Sequence, residues 1–186
     1  MIDFRNKVES EAWKLVFDFG FFLSSLVGTF VFGMAAGVLI SGMPLEERGE
    51  FGGVFFDYFG PYPLATGCLA VSTFALHGVM FLFLKTTGTV REKLATWMWH
   101  VWGIFLVVYV LVSMMTLIEN PHVIESVKKS PWAIPIVILN VVCVANIPRC
   151  IFNQRYGQAF ISSCINILCL VTLLFVSNFP NLVYST

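Results

Sequence analysis

An all-α, multi-pass membrane bundle of about five spans is the fold class this sequence predicts, and three observations predict it. Hydrophobic residues make up 58% of the 186 and charged ones 12%, with a mean hydropathy of +0.82, a balance foreign to soluble domains. The apolar residues gather into five segments, about Phe19–Ile40, Leu64–Leu84, Thr96–Ile118, Trp132–Ile147 and Gln158–Phe179. Each approaches the ~20 residues that cover the hydrocarbon core at about 1.5 Å per residue, the fourth needing the regions of Pro131 or Pro148 to reach both surfaces. Finally, Lys and Arg alternate in number from one connection to the next. Residues 1–186 read as a single membrane domain without a soluble one.

The charges orient the spans. Arg5, Lys7 and Lys14 precede the first, Lys85, Arg91 and Lys93 separate the second and third, and Arg149 and Arg155 separate the fourth and fifth. The opposite side holds only Arg48, Lys128 and Lys129, beside six carboxylates (Glu46, Glu47, Glu50, Asp57, Glu119 and Glu125). Cationic loops stay on the cytoplasmic face, so the N-terminus is expected inside and the C-terminus outside. A formal net charge of zero hides this separation. No basic patch is interleaved with stacking aromatics, so nucleic acid is not an expected partner.

Met1–Ser10 is polar, lacks an apolar core, and does not read as a signal peptide. The first span carries small residues in four-residue steps, Ser24 with Gly28 and Gly33 with Gly37. That spacing lets two backbones approach where no hydrophobic effect drives association. Contact with a neighbouring helix of this chain and contact with a partner subunit are both open. The connection Ser41–Pro63 is too rich in Gly and Pro for a long helix, and its aromatics suit headgroup depth. Glu119–Pro131 reads as a short polar loop. The inner connections are shorter still, which favours antiparallel neighbours.

Polar residues inside the spans are costly and each calls for a role. His77 stands near the middle of the second span and His100 near the start of the third. A buried histidine can ligate haem, relay protons or donate a hydrogen bond; one per span, unpaired, favours the last. Asn140, Asn146 and Asn166 are expected to bridge helices. Asp18 stands at the head of the first span, where a helix N-terminus favours a carboxylate. The five cysteines (Cys68, Cys143, Cys150, Cys164 and Cys169) show no C-x-x-C spacing and read as small packing residues, not as a disulfide framework. No nucleophile–base set, phosphate-binding glycine loop or metal-ligand cluster is present, so no catalytic or metal residue is assigned.

The order of motifs adds what composition cannot. Asp3-Phe4-Arg5-Asn6-Lys7-Val8-Glu9, then Trp13, Asp18-Phe19-Gly20 and Gly33-x3-Gly37-x4-Gly42-Met43-Pro44 resemble subunit II of the cytochrome bd-type quinol oxidases. The resemblance continues through Pro63-Leu64-x2-Gly67, His77-Gly78-x6-Lys85-Thr86-x-Gly88 and Arg91, to Phe179-Pro180-Asn181-Leu182-Val183. Val38 and Gly60 stand where that family often has Asn. Family members carry about nine spans, and this chain is expected to correspond to the fourth to the eighth.

The resemblance implies a haem-free subunit of a complex that oxidises quinol, reduces dioxygen to water and builds a proton-motive force. It implies a haem-bearing partner, subunit I, holding haem b and haem d, and residence in the bacterial cytoplasmic (inner) membrane. It makes Asp3, with Arg5 and Lys7 beside it, the candidate proton-entry group, and His77 a packing or hydrogen-bonding residue. A small transporter or channel, and a fragment without function, are the competing readings.

Overall fold

The computed structural model describes residues 10–42 and 59–178. Every regular element among them is helical: α1 Glu11–Ser41, α2 Pro61–Lys85, α3 Thr89–Glu119, α4 Pro121–Lys129, α5 Ala133–Phe152 and α6 Tyr156–Asn178. All but α4 are long and apolar enough to cross a membrane. Apolar runs become helices here because lipid offers backbone groups no partner, and the helix satisfies them within one segment. The helices overrun the apolar segments that mark them. α1 starts at Glu11 and α3 at Thr89, so Asp18 and His100 lie well inside helices and not at their heads. The dipole that favours a carboxylate fades after the first turn, and Asp18 sits beyond its reach.

Short connections make antiparallel neighbours. α2 turns into α3 through Thr86–Gly88, where Gly88 has φ +70°, a conformation that glycine adopts without steric penalty. α5 runs through Pro148 to Phe152, giving up the hydrogen bond to the Val144 carbonyl near its end. It then turns into α6 within three residues. In that turn the Gln154 amide donates to Ile151 O at 3.0 Å and the Arg155 amide to Cys150 O at 2.8 Å. This is a Schellman closure, with Gln154 at φ 57° where glycine is usual.

The segment between α3 and α5 is where expectation and structure part. Glu119–Pro131 holds the two-turn-plus helix α4, opened by Pro121 at its first position and closed by Lys128 and Lys129 in its last turn. Proline is preset for that first position, and cations suit a helix C-terminus. His122 ties α4 to the end of α1, its Nε2 lying 2.9 Å from Ile40 O.

Helix α2 is central, contacting α1, α3 and α6, while α5 and α6 form a second hairpin. The core lies among α2, α3, α5 and α6 and contains Leu76, Met80, Met98, Phe105, Ile147 and Ala159. Much apolar surface stays outside it. The first half of α1 is exposed nearly all round, including Trp13, Phe19 and Phe22, and Phe32 is 82% exposed. A bilayer or another protein must cover such a surface.

Candidate functional site

Polar side chains inside the bundle converge on one stretch of α6. Ser162, Ser163 and Asn166 occupy about one helical turn of an otherwise apolar sequence, and each is buried. Side chains one and four positions apart fan over neighbouring faces, so the three reach different partners. Asn166 meets α5, where Asn140 Nδ2 donates to Asn166 Oδ1 at 2.9 Å. Asn140 Oδ1 accepts in turn from the Tyr109 hydroxyl of α3 at 2.6 Å. Both asparagines are 2% exposed, so this relay links three helices away from solvent. One turn along, Asn146 Nδ2 donates to Ser162 Oγ at 2.9 Å.

Ser163 faces α2. Its hydroxyl donates to Phe160 O at 2.7 Å, and its oxygen lies 2.9 Å from His77 Nδ1. Because the serine proton goes to the carbonyl, the short contact requires that neutral His77 carry its proton on Nδ1, leaving Nε2 with the lone pair. The imidazole also stacks on the Phe160 ring, centroids 4.7 Å apart. His77 is therefore clamped between α2 and α6 by one hydrogen bond and one ring face. Near the other end of α2, the Tyr62 and Thr116 hydroxyls meet at 2.9 Å, joining α2 to α3.

The small residues of α1 divide into two sets. A Cβ built on Gly33 would lie 2.8 Å from Thr66 O and 2.9 Å from Gly67 Cα. One on Gly37 would overlap Thr66 Oγ1 and lie 2.9 Å from Pro63 Cα. These two glycines let the α1 and α2 backbones touch. Among the described residues, Gly28 has nothing within 4 Å of such a Cβ, and the Ser24 hydroxyl donates to its own helix at Phe21 O, 3.0 Å. Ser24 and Gly28 thus face away from the described helices. Asp18 is likewise exposed on α1, one turn from Lys14. His100, also exposed, bonds within its own helix, Nδ1 3.0 Å from Thr96 O. Asp3, Arg5 and Lys7 lie outside the described residues.

The asparagine bridges are those expected from intramembrane amides, whereas the roles of Ser162, Ser163 and Tyr109 emerge only from the packing. The available signal was a Ser-Ser-x-x-Asn run inside an apolar span. Among the described residues no three His, Cys, Asp or Glu side chains converge as a metal site. The His77 ring is packed on Phe160 within a helix contact. Cys143, Cys150 and Cys169 are buried free thiols, while Cys68 and Cys164 are exposed free thiols.

All 186 residues match the family model described as cytochrome bd terminal oxidase subunit II. The chain is similar to the cytochrome bd ubiquinol oxidase subunit 2 of Bacillus subtilis, 26% identical over 184 residues, covering 99% of this chain and 54% of that protein. It is similar to a probable cytochrome oxidase subunit 2 of Haemophilus influenzae, 32% identical over 98 residues, covering 50% of this chain and 26% of that one. The cytochrome bd-I ubiquinol oxidase subunit 2 of Escherichia coli K12 is 30% identical over 95 residues, covering 49% and 25%. The chain spans about half the length of the Bacillus relative and about a quarter of the other two. With its five apolar helices and a match along its whole length, this chain belongs to the cytochrome bd terminal oxidase subunit II family.

Proposed function

We propose that this chain serves as the haem-free subunit II of a terminal oxidase that oxidises quinol and reduces dioxygen to water. The family match over residues 1–186 is the observation that carries the reading. The haems, b-type and d-type, reside in a partner subunit I and supply electron transfer and dioxygen reduction there. This chain's own residues hold a scaffold against that partner. The uncovered face of α1, with Phe32 and the small residues Ser24 and Gly28, supports a role as the docking surface. Small residues there admit a facing helix closely, as Gly33 and Gly37 admit α2.

The excess of Lys and Arg at one end of the bundle supports a cytoplasmic N-terminus in a bacterial inner membrane. On that side Asp3, flanked by Arg5 and Lys7, would accept protons from the cytoplasm for dioxygen reduction, contributing to a proton-motive force. His77 is a helix-bridging residue in this reading.

The test is to tag the chain in its native membrane, purify it gently and record the reduced-minus-oxidised visible spectrum. A d-type haem band, carried by a larger co-purifying subunit, is expected. A colourless preparation without such a subunit would overturn the assignment. Asp3→Asn should then slow dioxygen reduction with haem content unchanged. Unaltered turnover would remove Asp3 from the proton route.

A further inference from the structure

The turns α2–α3 and α5–α6 lie at the same end of the bundle, and between them is an open cavity of about 460 Å³. Leu84, Arg91, Gln154, Arg155, Tyr156 and Gln158 border it. Beside it Phe83 and Tyr156 pack with ring centroids 4.1 Å apart, and the Arg91 guanidinium carbon lies 4.6 Å from the Phe83 ring centroid. A guanidinium laid on a ring keeps its N–H groups directed outward in its own plane, available to an anion.

Arg155 is fixed by its backbone. Its amide donates to Cys150 O, and its carbonyl accepts from Gln158 and Ala159 at 3.0 and 3.1 Å. It stands just before α6, whose first amides have no acceptor within the helix. An arginine side chain cannot cap them, since it has no acceptor. Among the described residues, neither Arg91 nor Arg155 has a carboxylate within ion-pair distance. Two unneutralised guanidinium groups, a phenol and two side-chain amides thus border one cavity without a carboxylate in its lining.

We propose that this cavity binds the headgroup phosphate of an anionic phospholipid. Arg91 and Arg155 would contact the phosphate, with Tyr156 and Gln158 as neutral hydrogen-bonding groups. The location favours a lipid over a free anion. The cavity lies at the ends of membrane-length helices, and the exposed apolar side chains of Phe81, Leu82 and Leu84 lead from it along α2. Acyl chains can follow that flank while the headgroup stays at the interface. Basic pockets between spanning helices suit such headgroups, and Arg matches phosphate geometry with paired N–H groups.

The experiment uses the 186-residue chain together with any subunits that accompany it. Bound lipid is counted by native mass spectrometry after exchange into phosphatidylglycerol or phosphatidylcholine of identical acyl chains. Selective retention of phosphatidylglycerol is expected. Arg91→Gln with Arg155→Gln should weaken it roughly 10- to 30-fold, the effect of two surface cations of ordinary strength. Arg149→Gln, at the same end but outside the cavity lining, should leave it unchanged. If the double glutamine variant does not fold, Arg91→Lys with Arg155→Lys replaces it, and partial loss of retention is then expected. Equal retention of the two lipids, undiminished retention in the folded double variant, or displacement by millimolar inorganic phosphate would overturn the proposal. The last result would make the cavity a free-anion site.

Discussion

Helices α1 and α2 meet through the absence of side chains, whereas α5 and α6 meet through polar ones. At Gly33 and Gly37 the two backbones lie so close that even a methyl group collides with Thr66, Gly67 or Pro63. In the second hairpin, Asn140 and Asn146 reach across to Asn166 and Ser162. Lipid tails are as apolar as leucine, so neither pair is driven together by hydrophobic burial. One contact rests on dispersion between close backbones and the other on hydrogen bonds without competing water. The first should fail by steric wedging, the second by stranding a polar group.

The largest expected effect comes from wedging. Gly37→Leu places a side chain against Pro63 Cα and against Thr66 Oγ1, which is itself held by its bond to Pro63 O at 2.8 Å. The backbone cannot yield cheaply, and a loss of about 2–3 kcal/mol is expected in reversible detergent unfolding followed by circular dichroism. Gly28→Leu tests the other side of the comparison. It meets nothing among the described residues, so the isolated chain should unfold as before, while capture of a partner subunit should fall if α1 docks there. Equal destabilisation by the two changes would end the distinction between the two glycine sets.

Next in size is the asparagine relay. Asn140→Leu leaves the Tyr109 hydroxyl and Asn166 Oδ1 without their partner and should cost about 1–2 kcal/mol. A double-mutant cycle with Asn166→Leu should show a coupling of about 0.6 kcal/mol and no more than about 1.7 kcal/mol, the mean and upper end for hydrogen bonds between membrane helices. Strict additivity would mean that the amides do not act on each other.

His77 should matter less, because one bond is lost. His77→Ala is expected to cost about 0.5–1 kcal/mol beyond its packing contribution. His77→Asn, whose amide nitrogen can stand where Nδ1 stood, should recover part of that. A histidine acting through its Nε2 lone pair would show no such recovery. The smallest effect favours stability. Gln154→Gly relieves a non-glycine residue at φ 57° and should raise the stability of the α5–α6 hairpin by about 0.5–1 kcal/mol. Hydrogen exchange at the Arg155 amide would report it.

Several features were legible from residues alone because their costs are local. A run of apolar residues in lipid has little choice but helix, so five helices follow from five segments. Asparagine in a span must find a partner, and Asn140, Asn146 and Asn166 do. The short helix α4 was missed because Glu119–Pro131 is polar and brief. What fixes it is Pro121 at the first position together with the contact of His122 to Ile40 O, and the second lies 82 residues away in sequence. Ser163 was missed because serine is tolerated in membrane helices by bonding to its own backbone. Only the position of α2 makes it the partner of His77.

The sequence by itself determined the number of membrane-length helices and the membership of the family. Each depends on composition or on order along the chain, which the bilayer acts upon directly. Tertiary structure alone decided that Gly33 and Gly37 face α2 while Ser24 and Gly28 face away from the described helices, although the four share one periodic pattern. It also decided that Arg91 and Arg155, 64 residues apart, border one cavity. Periodicity places side chains on the same face of a helix. Which face meets a neighbour, and which side chains meet across a gap, depends on how the helices pack in three dimensions.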